Sequence, residues 1–239
     1  VKKGRSYLLN GEKAWLTNGP MADLFILFAV TGERGGRKSF TAFIVPRETP
    51  GLVVREMPAL GYLRPSPHCE IRLEGCAVPE TAILGRRGRA CADLSTPSPV
   101  AGDVLLSGAL LGGLDRQVSQ AARDIQESKG KIENDVKESF GGFAALLEAA
   151  RRIARDAAVD LDGGQRGTDV EHRLVSFHLI SKTLQESLGD LITKTAGGAP
   201  SGPDGIGDDI ARLIGLGAHA SRARQRKWGE TLLIGKEKP

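Results

Sequence analysis

Cysteine is scarce in this sequence: Cys69, Cys76 and Cys91 are the three among 239 residues. An odd, sparse set without metal-ligand spacing offers no metal centre and reads as buried or free thiols of a reducing cytosol. Long hydrophobic runs are missing too, since none reaches the ~18 apolar residues that a membrane span needs. The start of the chain has neither a Met nor a basic-apolar-cleavage pattern, so no signal peptide is expected. Charge of one sign does not dominate, because 33 Lys and Arg face 29 Asp and Glu for a net +4. With no aromatic interleaving among the basic residues beyond Trp228, nucleic acid is not expected as a partner. These absences leave a cytoplasmic protein without metal or membrane.

What remains is an ordinary globular composition, 40% hydrophobic and 26% charged, long enough for one large or two modest domains with real cores. The chain divides near residue 85. Before it, short β-like runs at 6–9, 12–18, 23–30, 39–46, 52–57 and 68–78 are separated by turn signals. Asn10-Gly11 between the first two is a two-residue hairpin signal, because both residues tolerate positive φ. Gly32-Glu-Arg-Gly-Gly-Arg37 and Thr49-Pro-Gly51 supply later turns. Six such strands suggest a small antiparallel barrel over residues 1–85.

Residues 86–100 are basic and then Ser/Pro-rich, as in a linker, and Pro97 or Pro99 can open a helix. From Val104 onward the apolar spacing is helical. Val170, Leu174, Phe177, Ile180, Leu184, Leu188 and Leu191 step by three and four, as do Phe140, Phe143, Leu147, Ala150 and Ile153. Helices are expected near 101–129, 138–161, 168–195 and 206–235, which makes residues 101–239 a four-helix bundle. The fold class is therefore α+β, an antiparallel barrel followed by a helical bundle.

Chemistry concentrates in Glu12-Lys-Ala-Trp-Leu-Thr-Asn-Gly19. Residues two apart on a strand point the same way, so Trp15 would offer a flat plate and Thr17 a hydroxyl beside it, with Leu16 between them. That pairing suits a planar heteroaromatic ligand with a polar edge. It equally suits a half-buried strand whose Trp and Thr merely pack.

The longer run Tyr7-Leu-Leu-Asn-Gly-Glu-Lys-Ala-Trp-Leu-Thr-Asn-Gly19 resembles the flavin-meeting segment of the acyl-CoA dehydrogenase family, which carries a Trp-Ile-Thr-like triplet. The likeness continues in order through Ala42-Phe-Ile-Val-Pro-Arg-Glu-Thr-Pro-Gly-Leu52, Leu60-Gly61, Cys69-Glu-Ile-Arg-Leu-Glu-Gly-Cys-Ala-Val-Pro79 and Ile83-Leu-Gly85. It implies that the chain corresponds to the middle β-domain and C-terminal helical domain of that family, with the N-terminal helical domain missing. It implies FAD as cofactor, with Trp15, Leu16 and Thr17 against the flavin. The implied reaction is α,β-desaturation of an acyl-CoA or acyl-carrier-protein thioester. Electrons would leave to an acceptor flavoprotein or to oxygen, and a homo- or hetero-oligomer is implied. A flavin-dependent monooxygenase on the same fold and a non-catalytic subunit of a hetero-oligomeric dehydrogenase are the alternatives.

Past residue 100 the family's signature residues are largely altered. Its catalytic aromatic-Glu-Gly-Thr run is matched by Trp228-Gly229-Glu230-Thr231, with Gly and Glu in the opposite order. Glu230 is the carboxylate nearest the catalytic position and hence the candidate base, although on a helix it would point about 100° away from position 229. The second base position of the family falls near Gly102, followed by Asp103 where a basic residue is usual. The Gln-x-x-Gly-Gly element that contacts flavin across the subunit interface is reduced to Lys194-Thr-Ala-Gly197-Gly198, whose glycines remain candidate cofactor contacts. His172 and His178 read as packing or solvent-facing residues, while His68 and His219 read as isolated. Arg222, Arg224, Arg226 and Lys227 read as a solvated basic helix face.

Overall fold

The computed structural model describes residues 1–58, 66–96, 98–128, 130–165, 167–196 and 205–234. The chain separates into two compact units, Val1–Ser98 and Pro99–Pro239.

The first unit holds seven strands: β1 (Lys2–Lys3), β2 (Ser6–Thr17), β3 (Leu24–Arg34), β4 (Arg37–Pro46), β5 (Leu52–Glu56), β6 (His68–Pro79) and β7 (Ile83–Leu84). Among the described residues they pair as two antiparallel sheets, in the orders β1-β2-β6-β5 and β3-β4-β7. Both sheets contribute to one core. Tyr7, Leu9, Ile71 and Val78 meet Phe25, Leu27, Phe43 and Val45 there, and burying such side chains stabilises by about 1.5–3 kcal/mol each. The opposite face of β3 is also apolar, and Leu24, Ile26, Phe28 and Val30 remain exposed on it.

The turn between β3 and β4 narrows to Gly35-Gly36 within the expected turn 32–37, because both strands run further than their expected ends at 30 and 39. Both glycines have positive φ, 57° and 73°, as a two-residue hairpin that follows the strand twist requires. The expected hairpin at Asn10-Gly11 does not form. Residues 6–9 and 12–17 belong to one strand, and both halves pair with β6. Asn10 and Gly11 instead sit at an irregularity between the pairs Leu9–Cys76 and Gly11–Leu73, where the Asn10 Oδ1 accepts the Gly75 N–H at 2.7 Å. A long partner strand of matching pattern outweighs a local turn signal.

Residues 86–96 fold onto the same unit. Ala90 is buried, the Gly88 N–H donates to Thr41 Oγ1 at 2.9 Å, and Arg86 pairs with Asp93 inside a π-helical turn at Cys91–Ser95.

The second unit is helical: α1 (Ser98–Glu127), α2 (Asn134–Asp162), α3 (Thr168–Ala196) and α4 (Ile206–Ile234). Leu114 of α1, Phe143 and Leu147 of α2, Leu184 and Leu188 of α3, and Ile210 and Ile214 of α4 share a core. A smaller cluster of Val104, Ala157, Val170 and Leu174 extends it. The three-and-four spacing read from the sequence follows the buried stripes of α2 and α3. Ion pairs tie the helices at their edges: Arg224 to Asp103 at 2.6 Å and Lys227 to Glu171 at 2.9 Å. Among the described residues, no helix is long and apolar enough to cross a membrane.

Candidate functional site

The site grows from a local misfit between β2 and β6. Lys13 pairs with Ile71 and Leu16 with Cys69, so three steps along β2 match two along β6. The extra residue is absorbed as a bulge in which Trp15 adopts a left-handed backbone with φ 61°. A bulky side chain rarely takes that conformation, which costs of order 1–3 kcal/mol, and such strain concentrates at functional positions.

The bulge sorts the side chains. Leu16 turns inward to the sheet core, while Trp15 stays 62% exposed and Thr17 is exposed beside it. His68, the residue paired with Thr17 across the strands, brings the two together. Its Nε2 lies 3.2 Å from Thr17 Oγ1, and its ring meets the Trp15 ring edge-on with centroids 6.5 Å apart. The expected shared face of Trp15 and Thr17 is thus present, made by a bulge rather than by regular alternation.

The turn that follows is clamped. Asn18 has φ 59° and donates its N–H to Pro67 O at 2.7 Å. The carbonyls of Gly19, Pro20 and Ala22 all accept from Arg47 Nη1, at 3.1, 2.9 and 3.3 Å. Gly19 is a glycine because the backbone passes directly over Cys69; a Cβ there would lie 2.1 Å from the sulfur. Burial pushes the Cys69 thiol above its ordinary value, against the opposing pull of Arg47, so Cys69 is an inert packing group.

His68, expected to be isolated, is not, and Arg47 is a further residue that the sequence does not single out. Each acts on a partner far away in the chain, at a separation of 51 residues for His68–Thr17 and 28 for Arg47–Gly19, which no local pattern reveals.

The other candidates lie in the helical unit. Glu230 is exposed near the end of α4. Two residues earlier, Trp228 stacks on His172 at 3.7 Å and 14°, which makes His172 a packing residue. Two helical steps turn the direction by about 200°, so Glu230 points away from that stack. An added Cβ at either Gly229 or Gly102 meets open space. Asp103 is neutralised in place by Arg224, and Lys227 pairs with Glu171, so the basic cluster is partly built into helix packing. His178 lines a groove of about 480 Å³ with Lys182 and Arg222, and burial first, then those two cations, push its pKa below the ordinary value. Lys194 is exposed on the last turn of α3; Gly197 and Gly198 lie outside the described residues. No group of three His, Cys, Asp or Glu among the described residues could hold a metal ion.

Residues 1–76 match the acyl-CoA dehydrogenase middle domain. A cyclohex-1-ene-1-carbonyl-CoA dehydrogenase of Geobacter metallireducens is 29% identical over 200 residues, covering 82% of this chain and 51% of that protein. A 2-methylacyl-CoA dehydrogenase of Solanum tuberosum is 32% identical over 170 residues, covering 66% and 40%. The fold is that of butyryl-CoA dehydrogenase from Megasphaera elsdenii, with TM-score 0.75 at 21% identity over 95% of this chain and 61% of the other. The chain spans about half the length, or less, of the curated relatives it matches. With the middle-domain match, these relatives and the shared α+β fold in agreement, the chain belongs to the acyl-CoA dehydrogenase family.

Proposed function

We propose that this chain supplies the flavin-facing β-domain, residues 1–85, and the helical domain, residues 101–239, of an FAD-dependent enzyme that desaturates an acyl-CoA or acyl-carrier-protein thioester. The observation that carries this reading is the Trp15–Thr17–His68 face. An exposed indole on a strained bulge, with a hydroxyl beside it, has the shape and chemistry to receive the edge of an isoalloxazine ring. The residues fit that group: the plate is open, the hydroxyl is accessible, and Arg47 fixes the turn that ends the strand.

When bound, the flavin supplies the acceptor for a hydride leaving the β-carbon. Trp15 covers ring surface that would otherwise be wet, and Thr17 offers a hydrogen bond to the polar edge. Glu230 is the carboxylate assigned to take the α-proton, through a one-residue shift from position 229. The electron acceptor in this reading would be a flavoprotein or oxygen. Assembly uses the apolar faces of residues 104–125 and 168–195, where Leu105, Leu106 and Leu179 are exposed.

The direct test is quenching of indole fluorescence by FAD, compared between the native chain and Trp15→Phe. Quenching that saturates and disappears in Trp15→Phe supports the site. Quenching that survives the substitution unchanged refutes it.

A further inference from the structure

We infer that His68 is a positioning residue which holds the Thr17 hydroxyl as a hydrogen-bond donor toward the open face. Its two ring nitrogens have unequal surroundings. Nε2 faces Thr17 Oγ1 at 3.2 Å, whereas Nδ1 is buried with no hydrogen-bond partner among the described residues.

That asymmetry selects a tautomer. A buried N–H without an acceptor is rare in folded proteins and carries the full desolvation penalty, about 1–3 kcal/mol, while an acceptor with an idle lone pair is better tolerated. The proton of neutral His68 therefore sits on Nε2 and Nδ1 keeps its lone pair. Nε2–H then donates to Thr17 Oγ1, and the hydroxyl must aim its own proton elsewhere. Thr17 is exposed, so that proton is presented to the open face. The opposite tautomer would draw the hydroxyl proton onto Nε2 and leave Thr17 with lone pairs alone. Edge contact from Trp15 steadies the imidazole in this orientation.

The consequence is a selection rule for the ligand. The group that meets the Thr17 proton is an acceptor, such as an unprotonated ring nitrogen or a carbonyl oxygen, and a ring N–H at that place would leave that proton without a partner. Applied to FAD this rests on the reading above; the tautomer itself does not.

Long-range proton–nitrogen NMR of the labelled full chain, with the His68 signals identified by their loss in His68→Gln, reads the tautomer directly. A proton resident on Nε2 is expected; a proton on Nδ1, or an even mixture, overturns the inference. FAD titrations give the second readout. His68→Phe should weaken FAD binding about fivefold to tenfold, as one lost hydrogen bond does. Thr17→Val should weaken it similarly, and the double variant no further. His68→Gln, whose amide nitrogen can donate from the same place, should recover most of the loss. If the native chain binds FAD and His68→Phe, folded by circular dichroism, binds it equally well, the inference fails. If the native chain takes no FAD, the cofactor reading fails and the NMR result alone decides for or against His68.

Discussion

Two carboxyl-bearing positions on the helices meet different fates. Asp103, beside one family base position, is locked to Arg224 across α1 and α4, and the two side chains are only 32% and 14% exposed. Removing Arg224 leaves that carboxylate half-buried without its cation, so Arg224→Met should destabilise the helical unit measurably in a denaturant titration, and Asp103→Asn in the same chain should recover part of the loss. Glu230 is exposed and makes no such pair among the described residues. If Glu230 is the base proposed above, desaturation requires it and folding does not. Glu230→Gln should lower the desaturation rate about 10²- to 10⁴-fold with an unchanged unfolding midpoint; an unchanged rate removes the assignment. Reversing Gly229 and Glu230 probes the same point from the other side, because activity appearing only in the reversed protein means that the native order lacks a base.

Among the elements, β2 is the one whose irregularities do the placing. The Asn10–Gly75 contact and the Trp15 bulge let a single strand pair with all of β6 and still present the indole outward. Gly19, where the chain leaves that strand, has no room for a side chain above Cys69. Gly19→Ala should cost about 1–3 kcal/mol in urea unfolding. Cys69→Ala in the same chain removes the sulfur and should return much of it, so a strictly additive pair of substitutions would show that the close approach is not the cause. The helices behave more simply. The spacing read from the sequence predicts four, and the observed bounds differ by a few residues, because a stripe repeating every 3.6 residues is a local property that packing only ratifies.

On the scale of the whole molecule, pH dependence should be carried in part by His178. Burial, Lys182 and Arg222 hold its folded pKa below the ordinary value, so between that lowered value and about 6.5 the unfolded chain binds more protons than the folded one. Stability is complete above the ordinary histidine range and is lost as pH falls through it. The thermal midpoint of the helical unit should therefore drop between neutral and mildly acid pH, and His178→Gln should flatten that slope. Assembly belongs to the same scale. If the chain assembles through the faces proposed above, replacing both Leu105 and Leu179 by Glu should reduce the mass in light scattering to that of one chain; an undiminished oligomer would place the contact elsewhere.

Sequence by itself determined the α+β order of elements, a turn within residues 32–37, the helical stripes and the family, because each depends on residues within a few positions of one another. It misjudged Asn10-Gly11, whose turn propensity is a local preference of about a kilocalorie and yields to a twelve-residue strand pairing along β6. Only the tertiary structure decided that Trp15 is held out by a left-handed bulge, that Arg47 gathers three carbonyls, and that His68 stands over Thr17. Those facts depend on which strand lies beside which and in what register, and register is set by the buried pattern of both partners together rather than by either run of residues alone.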